Sequence, residues 1–266
     1  IMWITLPIVL LIFSENISTA LLLFTVVVLM MFIGRVPFAQ LGKLLGVLAI
    51  IAVCGISVLT LADKSQLGSI PFGNRLATLK TRVMTYAEGN SKPFSVQDFD
   101  MNENAQIAHA NIAIATSNVI GKFPGNSVER DFLSQAFSDF IYAIIIEEMG
   151  IFGGAFVVLL YVVLLFRASK IANRCERNFP AFLVLGLALL MVIQAIINMA
   201  VAVGLFPVTG QPLPLISRGG TSTIINCIYI GMILSVSRFA KKRIPESAAV
   251  KTNIVESEFT RDEGIQ

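Results

Sequence analysis

The 266 residues are 55 % hydrophobic and only 14 % charged, against about 25 % charged in an ordinary globular chain. With a formal net charge of +3, one histidine and three cysteines, this composition excludes a water-soluble globule, a basic nucleic-acid-binding domain and a disulfide framework. The apolar residues fall in long runs, so the expected fold is all-α, a polytopic membrane bundle of about six transmembrane segments with one large extracytoplasmic loop.

In chain order, the first run, Met2 to Phe13, is short for a span. The chain begins at Ile1 without a basic leader, and the expectation is the C-terminal part of a longer protein, cut inside a helix and inactive alone. The second run is Ile17 to Ile33, and the third, Leu44 to Ala62, is uncharged. A polar stretch from Asp63 to Ser138 follows, and then apolar runs at Phe140 to Phe166, Phe179 to Pro207 and Thr221 to Ser237. The organisation read from this is three segments in 1–62, an extracytoplasmic loop in 63–138, three segments in 139–240 and a disordered cytoplasmic tail in 241–266.

Basic residues in short links mark the cytoplasmic side. Arg35 and Lys43, then Arg167, Lys170, Arg174 and Arg177, then Arg238, Lys241, Lys242 and Arg243 all fall on one side if each run crosses once. The 63–138 loop and the 207–222 link then face outward. Within the loop, Leu76, Leu79, Val83 and Met84 recur at helical spacing among Arg75, Lys80 and Arg82. That pattern suits an interfacial helix with basic heads at phosphates, and equally a folded cap over the bundle. Ala105 to Ile120 is a second helix candidate, too short to span.

Chemistry requires polar groups in this apolar setting. Asp139, at the junction of the outer loop and the fourth run, reads either as a helix N-cap or as a carboxylate at the outer surface that takes a proton or holds a metal. Glu147 and Glu148 lie farther along the same run, where a charge is costly unless paired or hydrated. A regular helix turns Glu147 toward the Asp139 side and Glu148 away; Glu147 reads as a cavity partner of Asp139 or as half of a structural ion pair with a neighbouring span. Gly150 and Gly154 form a GxxxG pattern suited to close helix contact. Gln194 and Asn198, one turn apart, are expected to hydrogen-bond between helices. The link from Phe206 to Ser222 carries three prolines and three glycines, as a bent, partly inserted loop would. Its glycine-rich end opens a helix whose free N–H groups favour anions, and Arg218 adds a bidentate phosphate donor.

The stretches Asp139-Phe-Ile-Tyr-Ala-Ile-Ile-Ile-Glu-Glu-Met-Gly150 and Leu213-Pro-Leu-Ile-Ser-Arg-Gly-Gly-Thr-Ser222 resemble the SEDS (shape, elongation, division, sporulation) family. Asn198, Pro207-Val-Thr-Gly210 and Gly125-Asn126-Ser127 fit in order and spacing, so the resemblance covers about Gln106 to Arg238. The Leu-Pro-Leu-Ile-Ser wording is closer to the FtsW-like division branch than to the RodA-like elongation branch. There are departures. The usual Pro-Glu-Ala-His reads Ser134-Gln135-Ala136-Phe137, the usual Tyr before the Gly pair is Arg218, and an earlier Gln-Pro-Asp appears as Ser14-Glu15-Asn16.

The resemblance implies polymerisation of lipid II into glycan strands during cell division, beside a class B penicillin-binding protein and other division proteins. It places the chain in the bacterial cytoplasmic (inner) membrane, at the septum, with no nucleic-acid partner. Asp139 matches the family's essential acidic residue, as the base or as the holder of a divalent cation, Mg or Mn. No nucleotide motif is present. From the chemistry of a departing pyrophosphate, Arg82, Arg218 and Arg75 are its binding candidates. The alternatives are a lipid II flippase using the intramembrane acids, and a non-catalytic scaffold for the transpeptidase.

Overall fold

A computed structural model describes residues 2–37, 39–43, 46, 105–133 and 136–240. Nearly all of the third apolar run, the Arg75 to Tyr86 segment, Ser134, Gln135 and the 241–266 tail lie outside the described residues. Among the described residues all regular structure is helical: α1 (Met2–Glu15), α2 (Ile17–Ile33), α3 (Ala105–Thr116), a 3-10 turn (Glu129–Asp131), α4 (Ile141–Ala172) and α5 (Asn178–Ala202), followed by α6 (Gly220–Ala240).

Local chemistry sets the helix ends. Asn16 alone links α1 to α2, and its side chain accepts from Thr19 N at 3.2 Å, satisfying a free N–H of the first turn. The fifth apolar run continues to Pro207, yet α5 stops at Ala202. Gly204 adopts φ +76°, and the N–H groups of Gly204 and Leu205 turn back to Val201 O and Ala200 O at 3.0 and 2.8 Å. This is a Schellman closure, which needs a left-handed residue and so favours glycine. At the other end of the bundle α4 runs past Phe166 to Ala172, with Lys170 in its last turn, where a cation suits the helix dipole.

Among the described residues three helices, α4, α5 and α6, are long and apolar enough to cross a membrane. The larger core joins Phe140, Tyr142, Ile146, Val157 and Tyr161 of the α4 region to Val192, Ala195 and Met199 of α5, with Leu213 of the following link and Ala110 of α3. A smaller core of Ala168, Val184, Ala188 and Ile233 closes α4, α5 and α6 at the far end. Outward faces carry Phe152, Phe156, Ile196, Ile224 and Leu234, as expected of surfaces that meet lipid rather than water.

Helix α4 is not one rod. Gly150 has φ +70° and ψ −170°, a conformation essentially restricted to glycine. On a straight helix Tyr142 and Gly154 lie about 18 Å apart. Here a Cβ placed on Gly154 would lie 3.2 Å from the Tyr142 hydroxyl and 3.0 Å from Ile146 Cγ1. The chain therefore bends sharply at Gly150, and the short 141–149 helix leans back on the 151–172 helix. The latter alone is about 33 Å long, enough to cross a hydrocarbon core of about 30 Å. Gly150 and Gly154 thus serve a bend within one helix, not the contact between two helices that their spacing suggested.

Candidate functional site

Asp139 sits just before the short 141–149 helix. The cap residue is Phe140, and no side chain caps this helix, so the carboxylate of Asp139 is not spent on capping. Ser138 Oγ donates to Asp139 Oδ1 at 2.8 Å. The other oxygen, Oδ2, faces Gly210, where an added Cβ would lie 3.7 Å away. Asp139 is half-buried, so this second oxygen, without a partner among the described residues, stands at the edge of the packed core.

The backbone around Asp139 is fixed from two directions. Asn198, buried on α5, donates through Nδ2 to Asp139 O at 2.9 Å and to Gln211 O at 2.7 Å. One turn earlier, Gln194 Nε2 donates to Pro212 O at 2.9 Å. Both amides therefore reach the backbone of the 206–219 link, not a neighbouring helix as their spacing led us to expect. Ser217 Oγ donates to Ser138 O at 2.6 Å and accepts from Leu213 N at 2.7 Å. Arg218 N donates to Phe137 O at 2.8 Å, while the Arg218 side chain is exposed.

The link itself holds an unusual shape. Leu215 has φ +66°, a left-handed conformation that is an outlier for a bulky side chain. The Tyr161 hydroxyl donates to Pro214 O beside it, and Gln211 Nε2 reaches across to Thr19 Oγ1 of α2 at 2.9 Å. Strain of this kind persists only where surrounding bonds over-determine it. At the end of the link, Ser222 and Thr223 hydroxyls donate back to Gly219 O at 3.2 and 2.6 Å.

Glu147 lies at the other end of the short helix and is 0 % exposed. Its carboxylate accepts from Lys122 Nζ at 2.7 Å, Ser127 Oγ at 2.5 Å and Val128 N at 3.2 Å. All three donors belong to the loop between α3 and the 3-10 turn. Glu147 is thus neither a cavity partner of Asp139 nor paired with a neighbouring span; its cation, Lys122, comes from the loop that follows α3. Glu148 is half-buried. A second contact of the same loop ties His109 of α3 to Glu129, with Nδ1 and Oε2 2.6 Å apart, and the His109 ring stacks on Phe132 at 5.3 Å.

The structure therefore gathers Asp139, Gln194, Asn198 and the Arg218 backbone around one junction and sets Glu147 at a different one. Arg75 and Arg82 lie outside the described residues. Ser138, Tyr161, Gln211 and Lys122 were not singled out by sequence, and Ser127 and Ser217 stood out only as members of the stretches that carry the family resemblance. Of these Tyr161 carries a usable signal, since a phenol in an apolar run needs a hydrogen-bond partner when buried. Among the described residues no group of three or more His, Cys, Asp or Glu side chains is placed to hold a metal.

A chain whose regular structure among the described residues is all helical, with three helices there long and apolar enough to cross a membrane, is a polytopic membrane protein. Residues 1–242 match the family model FTSW_RODA_SPOVE, described as a cell cycle protein, and the chain belongs to that family. It is 34 % identical over 249 residues to a probable peptidoglycan glycosyltransferase FtsW of Marinobacter nauticus, covering 92 % of this chain and 56 % of that protein. A probable peptidoglycan glycosyltransferase FtsW of Nitrosococcus halophilus is 38 % identical over 148 residues, 53 % of this chain and 38 % of that protein. The solved structure described as "Structural coordination of polymerization and crosslinking by a peptidoglycan synthase complex" superposes with a TM-score of 0.60 at 26 % identity, covering 88 % of this chain and 59 % of that one. The chain thus spans less than two thirds of the length of the relatives it matches.

Proposed function

We propose that this chain belongs to a peptidoglycan glycosyltransferase that polymerises lipid II, working beside a class B penicillin-binding protein at the division septum of the bacterial cytoplasmic membrane. The observation that carries this reading is Asp139: a carboxylate free of capping duty, oriented by Ser138 and fixed through its backbone by Asn198. Polymerisation joins a sugar hydroxyl of the acceptor to the anomeric carbon of the donor and expels undecaprenyl pyrophosphate. Asp139 takes the hydroxyl proton as general base. Arg218, exposed and tied by its backbone to Phe137, meets the departing pyrophosphate, with Arg75 and Arg82 as further donors. The names of the relatives and of the solved complex support both the activity and the partner class.

A divalent ion fits this site in one form only. Mg²⁺ is usually held by one or two carboxylates together with substrate phosphates, and Asp139 supplies one carboxylate beside which a pyrophosphate completes the set. Bound there, such an ion would offset the negative charge of the leaving group. The flippase reading drew on Glu147 and Glu148 as membrane-embedded acids, and the enclosed ion pair of Glu147 with Lys122 removes half of that motive.

The test is polymerisation of purified lipid II by the full-length protein and its Asp139→Asn variant. The variant should insert and melt like the parent, because no cap is lost, and should form no glycan. Near-parental polymer yield would overturn the reading. Activity that survives a chelator assigns Asp139 the base role, and activity lost to the chelator and restored by Mg²⁺ or Mn²⁺ assigns it the ion.

A further inference from the structure

We propose that Lys122, Ser127 and Glu147 form a clasp by which the outer loop positions Asp139, making them positioning residues for the polymerisation assigned above, on which this inference rests. The short 141–149 helix carries Asp139 at one end and Glu147 near the other, about 12 Å apart. A helix of this length moves as a rod, so the place of Asp139 depends on how both ends are held. The Asp139 end is held by Asn198 and by the Ser217 bond to Ser138 O. The Glu147 end packs through Ile146 on the 151–172 helix, but the helix is interrupted at Gly150, and apolar packing fixes its position less closely than directed bonds do. Among the described residues the directed bonds to the Glu147 carboxylate come from the 121–128 loop.

That hold is made at three levels. The Glu147 carboxylate, 0 % exposed, faces the ammonium of Lys122, the hydroxyl of Ser127 and the N–H of Val128. The Glu147 carbonyl accepts from Lys122 N at 2.9 Å. Gly121 and Gly150, both with positive φ, meet backbone to backbone, since a Cβ on Gly121 would lie 2.4 Å from Glu148 O and Gly150 N. Lys122 Nζ also donates to Thr116 Oγ1 at 3.1 Å, carrying the clasp to the end of α3. One side of this junction is a loop that faces outward and the other is the rod that bears Asp139. A displacement of the loop is therefore transmitted to the carboxylate. Lys122 is the more accessible member, half-buried with its side chain 30 % accessible against 0 % for Glu147, and is the one a reagent or partner would reach first.

The experiment uses the full-length protein in nanodiscs, with initial rates of lipid II polymerisation measured across substrate concentration, well below the melting temperature of each variant. Lys122→Met should lower kcat about 10- to 100-fold with KM nearly unchanged, the effect expected when a reacting group is misplaced by about an ångström. Lys122→Arg, which keeps a cation against Glu147, should recover most of the rate. Ser127→Ala, which leaves the ion pair in place, should show a smaller fall of the same kind and covers the case in which Lys122→Met fails to fold. Parental kcat in folded Lys122→Met with only a lower melting temperature would overturn the proposal, as would a change confined to KM or a Lys122→Arg variant as slow as Lys122→Met. Asp139→Asn is run in parallel: activity in that variant defeats the catalytic reading, whereas an inactive Asp139→Asn beside a fully active Lys122→Met defeats the clasp alone.

Discussion

Replacing Gly150 with alanine perturbs the bend that separates the short helix from the membrane-crossing one. At φ +70° and ψ −170° a side chain costs about 1–3 kcal/mol in backbone strain. The new Cβ would also lie 2.2 Å from Val119 O and 2.7 Å from Gly121 N, both backbone atoms that no rotamer change can clear. Val119 O must retreat by about 1 Å to reach ordinary contact. That shift pulls on the Lys122 N to Glu147 O bond, worth about 1 kcal/mol, and on the Lys122–Glu147 pair, whose rupture leaves a buried carboxylate short of its cation at a further cost of up to 3–5 kcal/mol. The total, about 2–4 kcal/mol with the ion pair kept and up to about 9 kcal/mol if it breaks, is a large share of the roughly 5–15 kcal/mol that holds a typical domain. Thermal unfolding of purified protein in detergent, followed by loss of the monodisperse peak, measures it. Gly231→Ala is the control: nothing lies within 4 Å of its added Cβ, so it should be neutral or gain up to about 1 kcal/mol. If Gly150→Ala melts together with Gly231→Ala, the bend is not held as described.

Two further substitutions test the other anchor. Asn198→Ala removes donors from two backbone carbonyls, Asp139 O and Gln211 O, and should cost about 2–4 kcal/mol; the loss is partly offset because Asn198 Oδ1, buried without a hydrogen-bond partner among the described residues, disappears with it. A melting temperature within error of the parent would contradict this account. Tyr161→Phe leaves Pro214 O unpaired and should cost about 1–2 kcal/mol, with faster proteolysis within the 206–219 link as the local sign.

Helix identity was legible in the sequence because apolar runs leave the backbone no choice but to satisfy itself. The extent of α2, Ile17–Ile33, follows the apolar run because polar Asn16 and the Gly34-Arg35 turn bracket it. The interruption at Gly150 was not legible: Gly150 and Gly154 sit at the spacing of a helix-contact motif, and only the approach of Val119 and Gly121 shows which use is made of it. Asp139 stood out because an acid at a junction is conspicuous. Its relief from capping depends on Phe140 taking the cap position, a shift of one residue that periodicity does not resolve. Glu147 was visible as a costly charge, but its partner Lys122 is 25 residues earlier in a loop, and no local spacing rule connects them. Gln194 and Asn198 were recognisable as polar groups needing partners; that those partners are Asp139 O and the Gln211 and Pro212 carbonyls depends on how the proline-rich 206–219 link folds back on α5, which no local spacing reveals.

The bend at Gly150 also separates two mechanical demands. A span must match the thickness of its bilayer, and it tilts or shifts when lipid composition changes. Here that accommodation falls to the 151–172 helix, whose outer faces carry Phe152, Phe156 and Val162. The 141–149 helix answers to protein at both ends, through Asn198 and Lys122. Asp139 is thereby carried on a platform whose polar ties run to the protein's own loops and to α5 rather than to lipid.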